Sequence, residues 1–461
     1  MVALVALLGA GCAPDGGVRP SGPNVLLITA DTLRADHLGA YGPSPASTPA
    51  LDRLAAEGLV FDNAAAPMPV TKPSHFSIFT GHPPRRHGVV NNQLALPDAA
   101  RTLAEGFSEA GYRTAGFPAV RFFGRSSGAA QGFGYYAPAE SRPYDPAGVV
   151  VERVLTWTRS LPEGEPFFVW LHLFDPHTPY APPPRHRPRE PAPADGLADE
   201  VTWGTVRRSA RTTGGDLTPA ALARARALYA GEVELLDHAV GRLLDDLRGR
   251  DLLDGTVVAF TADHGECFEQ GFYFRHADCL YDGAIRVPLV LRHPAGLGAP
   301  GRVERPVELA SLGRTLFELA GVAPPEGFGG GSLLAEDEGV EYAFFQPILS
   351  DGGAADAREG KWGRVASIAG DPMAPVLRSP DPAGLRGSRF KYVLYEPRRE
   401  VLYDLRSAEG EGKDVAARHP EVLREMRRHL RRLLKEQPVE VLDPGAISKE
   451  LRESLEALGY L

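Results

Sequence analysis

Two apolar, β-branched runs in this chain close on the same tripeptide: Val25-Leu26-Leu27-Ile28-Thr29-Ala30-Asp31 and Val257-Val258-Ala259-Phe260-Thr261-Ala262-Asp263. The second continues into His264-Gly265. Runs this short and continuously apolar read as strands buried on both faces of a parallel sheet. Open α/β sheets bind ligands beyond the carboxyl ends of their strands. Two aspartates and an imidazole delivered there predict a metal site assembled across the fold.

Between the two strands lies Pro69-Val70-Thr71-Lys72-Pro73-Ser74-His75-Phe76-Ser77-Ile78-Phe79-Thr80-Gly81. With Thr71 near the N-cap, Pro73 in the first turn and Gly81 as the stop, it predicts a short helix from about Pro73 to Thr80. Unpaired N–H groups and the positive end of the helix dipole would then face Thr71, which suits a tetrahedral oxyanion. Capping is the commonest duty of a threonine before a helix. Here the context makes Thr71 the candidate nucleophile. A hydroxyl attacks poorly near neutral pH unless a metal or base activates it, so metal and nucleophile must be neighbours.

At these residues the chain resembles the sulfatase family of the alkaline phosphatase superfamily, over nearly all of its length after residue 23. The first strand continues into Asp31-Thr32-Leu33-Arg34-Ala35-Asp36-His37-Leu38-Gly39-Ala40-Tyr41-Gly42, and Thr48 to Ala55 is like the first family helix. Further matches follow in family order. These are Thr80-Gly81 through His87-Gly88-Val89, the run Phe167 to Leu173 leading into Phe174-Asp175-Pro176-His177-Thr178-Pro179-Tyr180, and Leu280-Tyr281-Asp282 through Arg286-Val287-Pro288. The resemblance implies an α/β fold, an alkaline-phosphatase-like three-layer sandwich with a large, mainly parallel sheet and a smaller C-terminal α+β subdomain.

One departure bears on the chemistry. Sulfatases carry Cys or Ser in a Cys-x-Pro-x-Arg pattern whose nucleophile is oxidised to formylglycine; the matching residues here are Thr71, Pro73 and His75. Threonine cannot become formylglycine, so none is expected. A hydrated aldehyde expels sulfate by collapsing to the carbonyl, whereas a threonine ester must be broken by water or another acceptor. Other branches of the superfamily, nucleotide phosphodiesterases and lipid phosphoethanolamine transferases among them, use a metal-bound threonine.

The resemblance further implies one divalent ion (calcium, manganese or zinc) held by Asp31, Asp263, His264 and the Thr71 oxygen. By position, His177 and His276 match family residues that contact the transferred group or protonate the leaving oxygen. Asn92 stands where relatives carry a substrate-contacting Asn, and His75 is a second expected substrate contact. The Lys-x-His motif that helps bind sulfate in arylsulfatases is missing from Tyr112 to Tyr136, where Arg113, Arg121 and Arg125 are the cations. The first four residues also resemble half of a two-zinc site, whose other half Asp175, His177 and His276 would supply.

The implied function is a sulfatase-like, metal-dependent hydrolase of sulfate- or phosphate-type esters, acting on a small-molecule, glycan or lipid ester. Its alternatives are a two-metal phosphodiesterase or phosphoryl/headgroup transferase, and an inactive protein that binds a sulfated or phosphorylated glycan. Fifty basic against 59 acidic residues give a net charge of −9, which argues against general nucleic-acid binding. At 461 residues the chain is long enough for one large domain and a smaller one.

The apolar stretch Val2 to Gly11, closed by Cys12, is too short to span a bilayer and looks like a bacterial lipoprotein signal. Such a signal would place the protein in the cell envelope, held to a membrane by a lipid on Cys12; an ordinary cleaved signal is the alternative. The expected division is signal and lipobox 1–12, Gly/Pro linker 13–23, catalytic domain 24–326, C-terminal subdomain 327–436 and helical tail 437–461. Cys267 and Cys279 either pair around the loop bearing His276 or remain as thiols. Val287 to Arg292 reads as a core strand, Leu309 to Ala320 as an amphipathic helix stopped by Gly321, and the basic run Arg424 to Arg432 as a solvated helix face.

Overall fold

A computed structural model describes residues 22–140, 142–188, 197, 199–212, 217–269, 273–297, 300–335, 342–346, 383–396, 399–436 and 449–457. The signal segment with Cys12, nearly all of the linker, and the tail residues 437–448 and 458–461 lie outside the described residues. Both Asp-terminated runs are strands of one sheet. Its members are β1 (Asn24–Ala30), β2 (Leu59–Ala65), β3 (Arg113–Pro118), β4 (Tyr135–Tyr136), β5 (Phe167–Leu173), β6 (Thr256–Ala262), β7 (Leu289–Arg292) and β8 (Gly301–Glu308). Their spatial order is β4-β3-β5-β1-β6-β7-β2-β8.

All neighbouring pairs are parallel except those of β7, which runs against both β6 and β2. The strand expected from Val287 therefore starts two residues later and is the one reversed strand of the sheet. Every residue of β5 and β6 is buried. A strand with no exposed side chain must be covered on both faces, which makes the domain three layers deep. The longest helix, Pro219–Gly249, begins where the Thr218 side chain accepts from the Ala221 N–H and Pro219 fills the first turn.

A second, antiparallel sheet follows, with β9 (Ala343–Phe345), β10 (Ala383–Arg386), β11 (Phe390–Glu396) and β12 (Arg399–Asp404) in the order β12-β11-β10-β9. The helix Pro420–Glu436 lays Met426 and Leu430 on this sheet, while Arg424, Arg428, Arg431 and Arg432 stay exposed. A buried ion cluster ties the two sheets together. Asp282 accepts from Arg386 Nη2 at 2.7 Å and from Lys391 Nζ at 2.9 Å, and Lys391 also reaches Glu411 at 2.8 Å. Burial opposes the charge on Asp282, but Arg386 and Lys391 outweigh it and hold the carboxyl far below the usual range. The helix Lys449–Ala457 returns to the large domain, where Leu455 joins the main core.

Candidate active site

The central strands position the chemistry. β1 and β6 pair in parallel with Ala30 opposite Ala262, so Asp31 and Asp263 leave the sheet side by side. β5 flanks β1 on its other edge, and the Asp31 N–H donates to Leu173 O at 2.9 Å. Directly after Asp31 the backbone turns through Thr32 at φ 56°, a conformation that strains a β-branched residue. The Thr32 N–H points at Asp263 Oδ1 (3.4 Å), and its carbonyl accepts from the Tyr229 hydroxyl (2.8 Å).

His264 Nε2 lies 3.7 Å from Asp31 Oδ1 and 3.6 Å from Asp263 Oδ2, and all three side chains are fully buried. His264 Nδ1 donates to Gly265 O at 3.0 Å, which turns the Nε2 lone pair toward the carboxylates. Both Asp31 oxygens, Asp263 Oδ2 and His264 Nε2 have no protein partner of good geometry. Burial pushes the Asp31 carboxyl up to about 6 against the pull of His177 and His276; the Thr71 hydroxyl beside it pulls down too. Burial, then the neighbouring Asp31, raise Asp263, while burial lowers His264. Orphaned carboxylate and imidazole atoms packed this closely without a counter-charge are expensive to bury. They fit a divalent cation.

Thr71 is the first residue of the helix Thr71–Thr80, which starts two residues earlier than the sequence predicts. Val70, in an extended conformation, occupies the cap position, and the Ser74 N–H closes the first turn on Val70 O at 3.2 Å. Pro73 is tolerated because it still falls within the first turn, where an intrahelical N–H is not required. The Thr71 hydroxyl is thereby released from capping and turned to Asp31. At the other end Gly81 takes φ 71°, packed against the Gly329 backbone, where a Cβ has no room.

Asn92 accepts from the Lys72 N–H at 2.9 Å, and its Nδ2 is buried without a protein partner beside this helix start. His75 sits elsewhere than expected. Fully buried, it donates from Nδ1 to Thr71 O at 2.8 Å, and its Nε2 pairs with the Thr29 hydroxyl at 2.9 Å. Both nitrogens are used within the protein, so its place is behind Thr71 rather than against substrate.

His177 and His276 come together over the cluster. Their ring centroids are 5.3 Å apart, and the His276 ring lies 4.5 Å from that of His264. Burial takes His177 down to about 4, partly offset by Asp31. Burial also acts against the charged form of His276, but Glu266 and Asp31 outweigh it and raise its pKa above the usual value. His276 is thus the better proton donor near neutral pH. The second ligand set expected of Asp175, His177 and His276 does not form among the described residues. Asp175 Oδ2 accepts instead from the Ala147 N–H (2.8 Å), and His276 Nδ1 faces Glu266 (3.2 Å).

Three further buried polar residues, Glu266, His172 and Lys72, lie near the site without belonging to a motif. Glu266 stands two places after His264. His172, on β5, points Nε2 at Asp31 Oδ2 from 3.5 Å. Lys72 reaches Leu94 O at 3.3 Å, and burial lowers its ammonium to about 7. A polar residue inside an otherwise apolar strand was the available signal for His172. Lys72 carried none. Cys267 and Cys279 are disulfide-bonded, closing the loop that carries His276.

The sequence profile of the sulfatase family matches residues 23–322. The chain belongs to the sulfatase family. It is 27% identical to an arylsulfatase of Clostridium perfringens over 68% of this chain and 77% of that protein. With a multifunctional alkaline phosphatase superfamily protein of Trinickia caryophylli it shares 26% identity, over 85% of this chain and 91% of the relative. Among solved structures, the phosphonate monoester hydrolase of Agrobacterium radiobacter superposes with a TM-score of 0.71 at 21% identity, covering 90% of this chain and 96% of that one. A protein solved with its substrate D-glucosamine-2-N,6-O-disulfate gives 0.72 at 18% identity, covering 90% and 98%. These neighbours share the fold of this chain, and its family places it among ester-hydrolysing enzymes.

Proposed function

We propose that this sulfatase-family protein hydrolyses sulfate- or phosphate-type esters with Thr71 as nucleophile, beside one divalent ion held by Asp31, Asp263, His264 and the Thr71 oxygen. The orphaned, buried atoms of the two aspartates and His264, facing a helix that begins at Thr71, carry this reading. The ion would supply charge stabilisation for the equatorial oxygens. Thr71 Oγ forms the new bond to phosphorus or sulfur and gives its proton to the Asp31 carboxylate. The bond to the leaving oxygen breaks with its electron pair on that oxygen, which takes a proton from His276. Asn92 Nδ2 and the helix N-terminus hold the oxyanion. Water then attacks the phosphorus or sulfur and gives a proton to His276, while the bond to Thr71 Oγ breaks with its electron pair on Oγ, which recovers its proton from Asp31.

Because Thr71 cannot become formylglycine, phosphodiesters and phosphonate monoesters should be turned over faster than sulfate monoesters. The phosphonate hydrolase among its structural neighbours is in keeping with that order. Assays on aryl sulfate, phosphate monoester, phosphodiester and phosphonate substrates test it, and efficient arylsulfatase activity with little phosphodiesterase activity would overturn it. Thr71→Ala should abolish turnover and any covalent adduct seen by mass spectrometry after a substrate quench.

We also propose that the protein is lipid-anchored at Cys12 in the bacterial cell envelope, where it meets exported glycan, lipid or small-molecule esters. The disulfide suits an oxidising compartment. Cys12→Ser should move the protein from the membrane to the soluble fraction; a wild-type protein that is soluble in the cytoplasm and retains Met1 would refute the anchor.

A further inference from the structure

Glu266 is fully buried, and its two carboxylate oxygens and its backbone carbonyl each meet a different part of the fold. Oε1 lies 3.2 Å from His276 Nδ1. Oε2 accepts from the Tyr180 hydroxyl at 2.9 Å, in the loop after β5. The backbone carbonyl accepts from Arg34 Nη1 at 2.7 Å, in the loop after β1. Backbone pairing sets its distance from His276. The Cys267 N–H donates to Arg275 O (3.0 Å) and the Phe274 N–H to Cys267 O (2.6 Å), so Glu266 and His276 stand next to this pairing, one on each of two paired arms. The disulfide from Cys267 to Cys279 closes those arms.

We infer that Glu266 is a positioning residue for the leaving-group proton: it fixes the tautomer and ring orientation of His276 so that Nδ1 donates to the carboxylate and Nε2 carries the proton that is transferred. This rests on the proposed Thr71 chemistry, and the argument is geometric. A carboxylate held by two other loops is a rigid acceptor, and a protonated imidazole that keeps its Nδ1–H on that carboxylate has its transferable proton on Nε2. The His276 ring packs edge-on against His177 at 5.3 Å and lies 4.5 Å from the ring of His264, so its orientation is set by neighbours on two sides as well as by Glu266. In the step itself, the Nε2–H bond breaks with its pair on nitrogen. The proton bonds to the leaving oxygen as that oxygen departs with the pair of its former bond to phosphorus or sulfur, and neutral His276 is left to take a proton from the water that cleaves the Thr71 ester. Sequence motifs alone do not pair Glu266 with His276, because ten residues separate them.

Glu266→Gln keeps the size of the side chain and the Tyr180 contact, so the metal-loaded full-length enzyme is the material to test. Across aryl phosphonate or phosphodiester substrates, kcat should fall about 10²-fold with a phenol leaving group and within about threefold with 4-nitrophenol, which needs no protonation. KM and metal content should not change. The Glu266→Gln/His276→Ala double variant should be no slower than His276→Ala alone, since one residue acts through the other. Equal slowing across all leaving groups, loss of bound metal, or additive losses in the double variant would overturn the positioning role. Turnover by Thr71→Ala at the wild-type rate would instead sink the nucleophile reading beneath it.

Discussion

His75 ties Thr71 to the floor of the sheet: its Nδ1 donates to Thr71 O at 2.8 Å, while its Nε2 accepts from the Thr29 hydroxyl at 2.9 Å, and Trp170 Nε1 donates to that same hydroxyl at 3.0 Å. Burial holds His75 neutral, as this chain of donors requires. The formylglycine sulfatases place an arginine at this position; here an uncharged ring braces the helix start. His75→Ala would take from the buried Thr29 hydroxyl its nitrogen acceptor and open a cavity beside Trp170, at a loss of about 1–3 kcal/mol of stability. Thermal unfolding and steady-state kinetics should both respond, with kcat falling more than KM rises. An unchanged kcat would remove His75 from the nucleophile's support.

Removing the metal should destabilise the fold as well as silence it. An ion present at a thousand times its dissociation constant stabilises the native state by about 4 kcal/mol. Chelation should therefore lower the melting temperature and abolish turnover, and adding back calcium, manganese or zinc in turn should restore both for the cognate ion. Asp263→Asn should make the melting temperature insensitive to chelator. A melting temperature that chelation leaves unmoved in the wild type would count against a metal held by Asp31, Asp263 and His264.

Glu232 gives the fold a pH dependence of definite sign. Burial, then the nearby Asp175, push its carboxyl up to about 8. In the unfolded chain the group ionises near the usual glutamate value, about 4.3. Between those values the folded state holds a proton that the unfolded state has lost, so stability falls as pH rises. Denaturant unfolding at steps from pH 4.5 to pH 8 should record that slope, and Glu232→Gln should flatten it. A slope unaltered by the substitution would assign it to other groups.

The disulfide should matter to catalysis beyond its effect on stability. Cys267 and Cys279 are 12 residues apart in sequence and bracket His276, and closing a loop of this order contributes about 3 kcal/mol. Cys279→Ser should lower the melting temperature and reduce kcat for poor leaving groups most, since Glu266 and His276 stand on the two arms it joins. Loss of stability with an unchanged leaving-group profile would confine the bridge to a structural role.

Lys72 is a buried ammonium with its Nζ at the Leu94 carbonyl and over the Phe122 ring. Lys72→Met removes the desolvation of that charge, and replacing buried charges with apolar groups stabilises by about 1–4 kcal/mol in the cases where it helps. The variant should melt higher yet bind an anionic ester less tightly, a trade of stability against function. Lower melting with intact KM would show that the ammonium serves the fold alone.

The sequence by itself determined the strands β1 and β6, because continuous β-branched apolar runs have one stable place, the doubly covered middle of a sheet. It also determined that Asp31, Asp263 and His264 stand at strand ends, since a residue's position along a strand is a local property. The helix ending at Gly81 was equally legible from turn chemistry, though its start was not: tertiary contacts, not propensity, moved the cap from Thr71 to Val70. The direction of β7 and the 31-residue span of the helix Pro219–Gly249 were beyond reach. Strand direction depends on partners distant in the chain, and that helix hides its apolar stripe among alanines and arginines. Only the tertiary structure decided which polar side chains meet. It turned Asp175 away to the Ala147 N–H, sent His75 behind Thr71, and set Glu266 against His276. Such pairings are fixed by packing and by the need to satisfy buried polar groups, and neither leaves a periodic trace in the sequence.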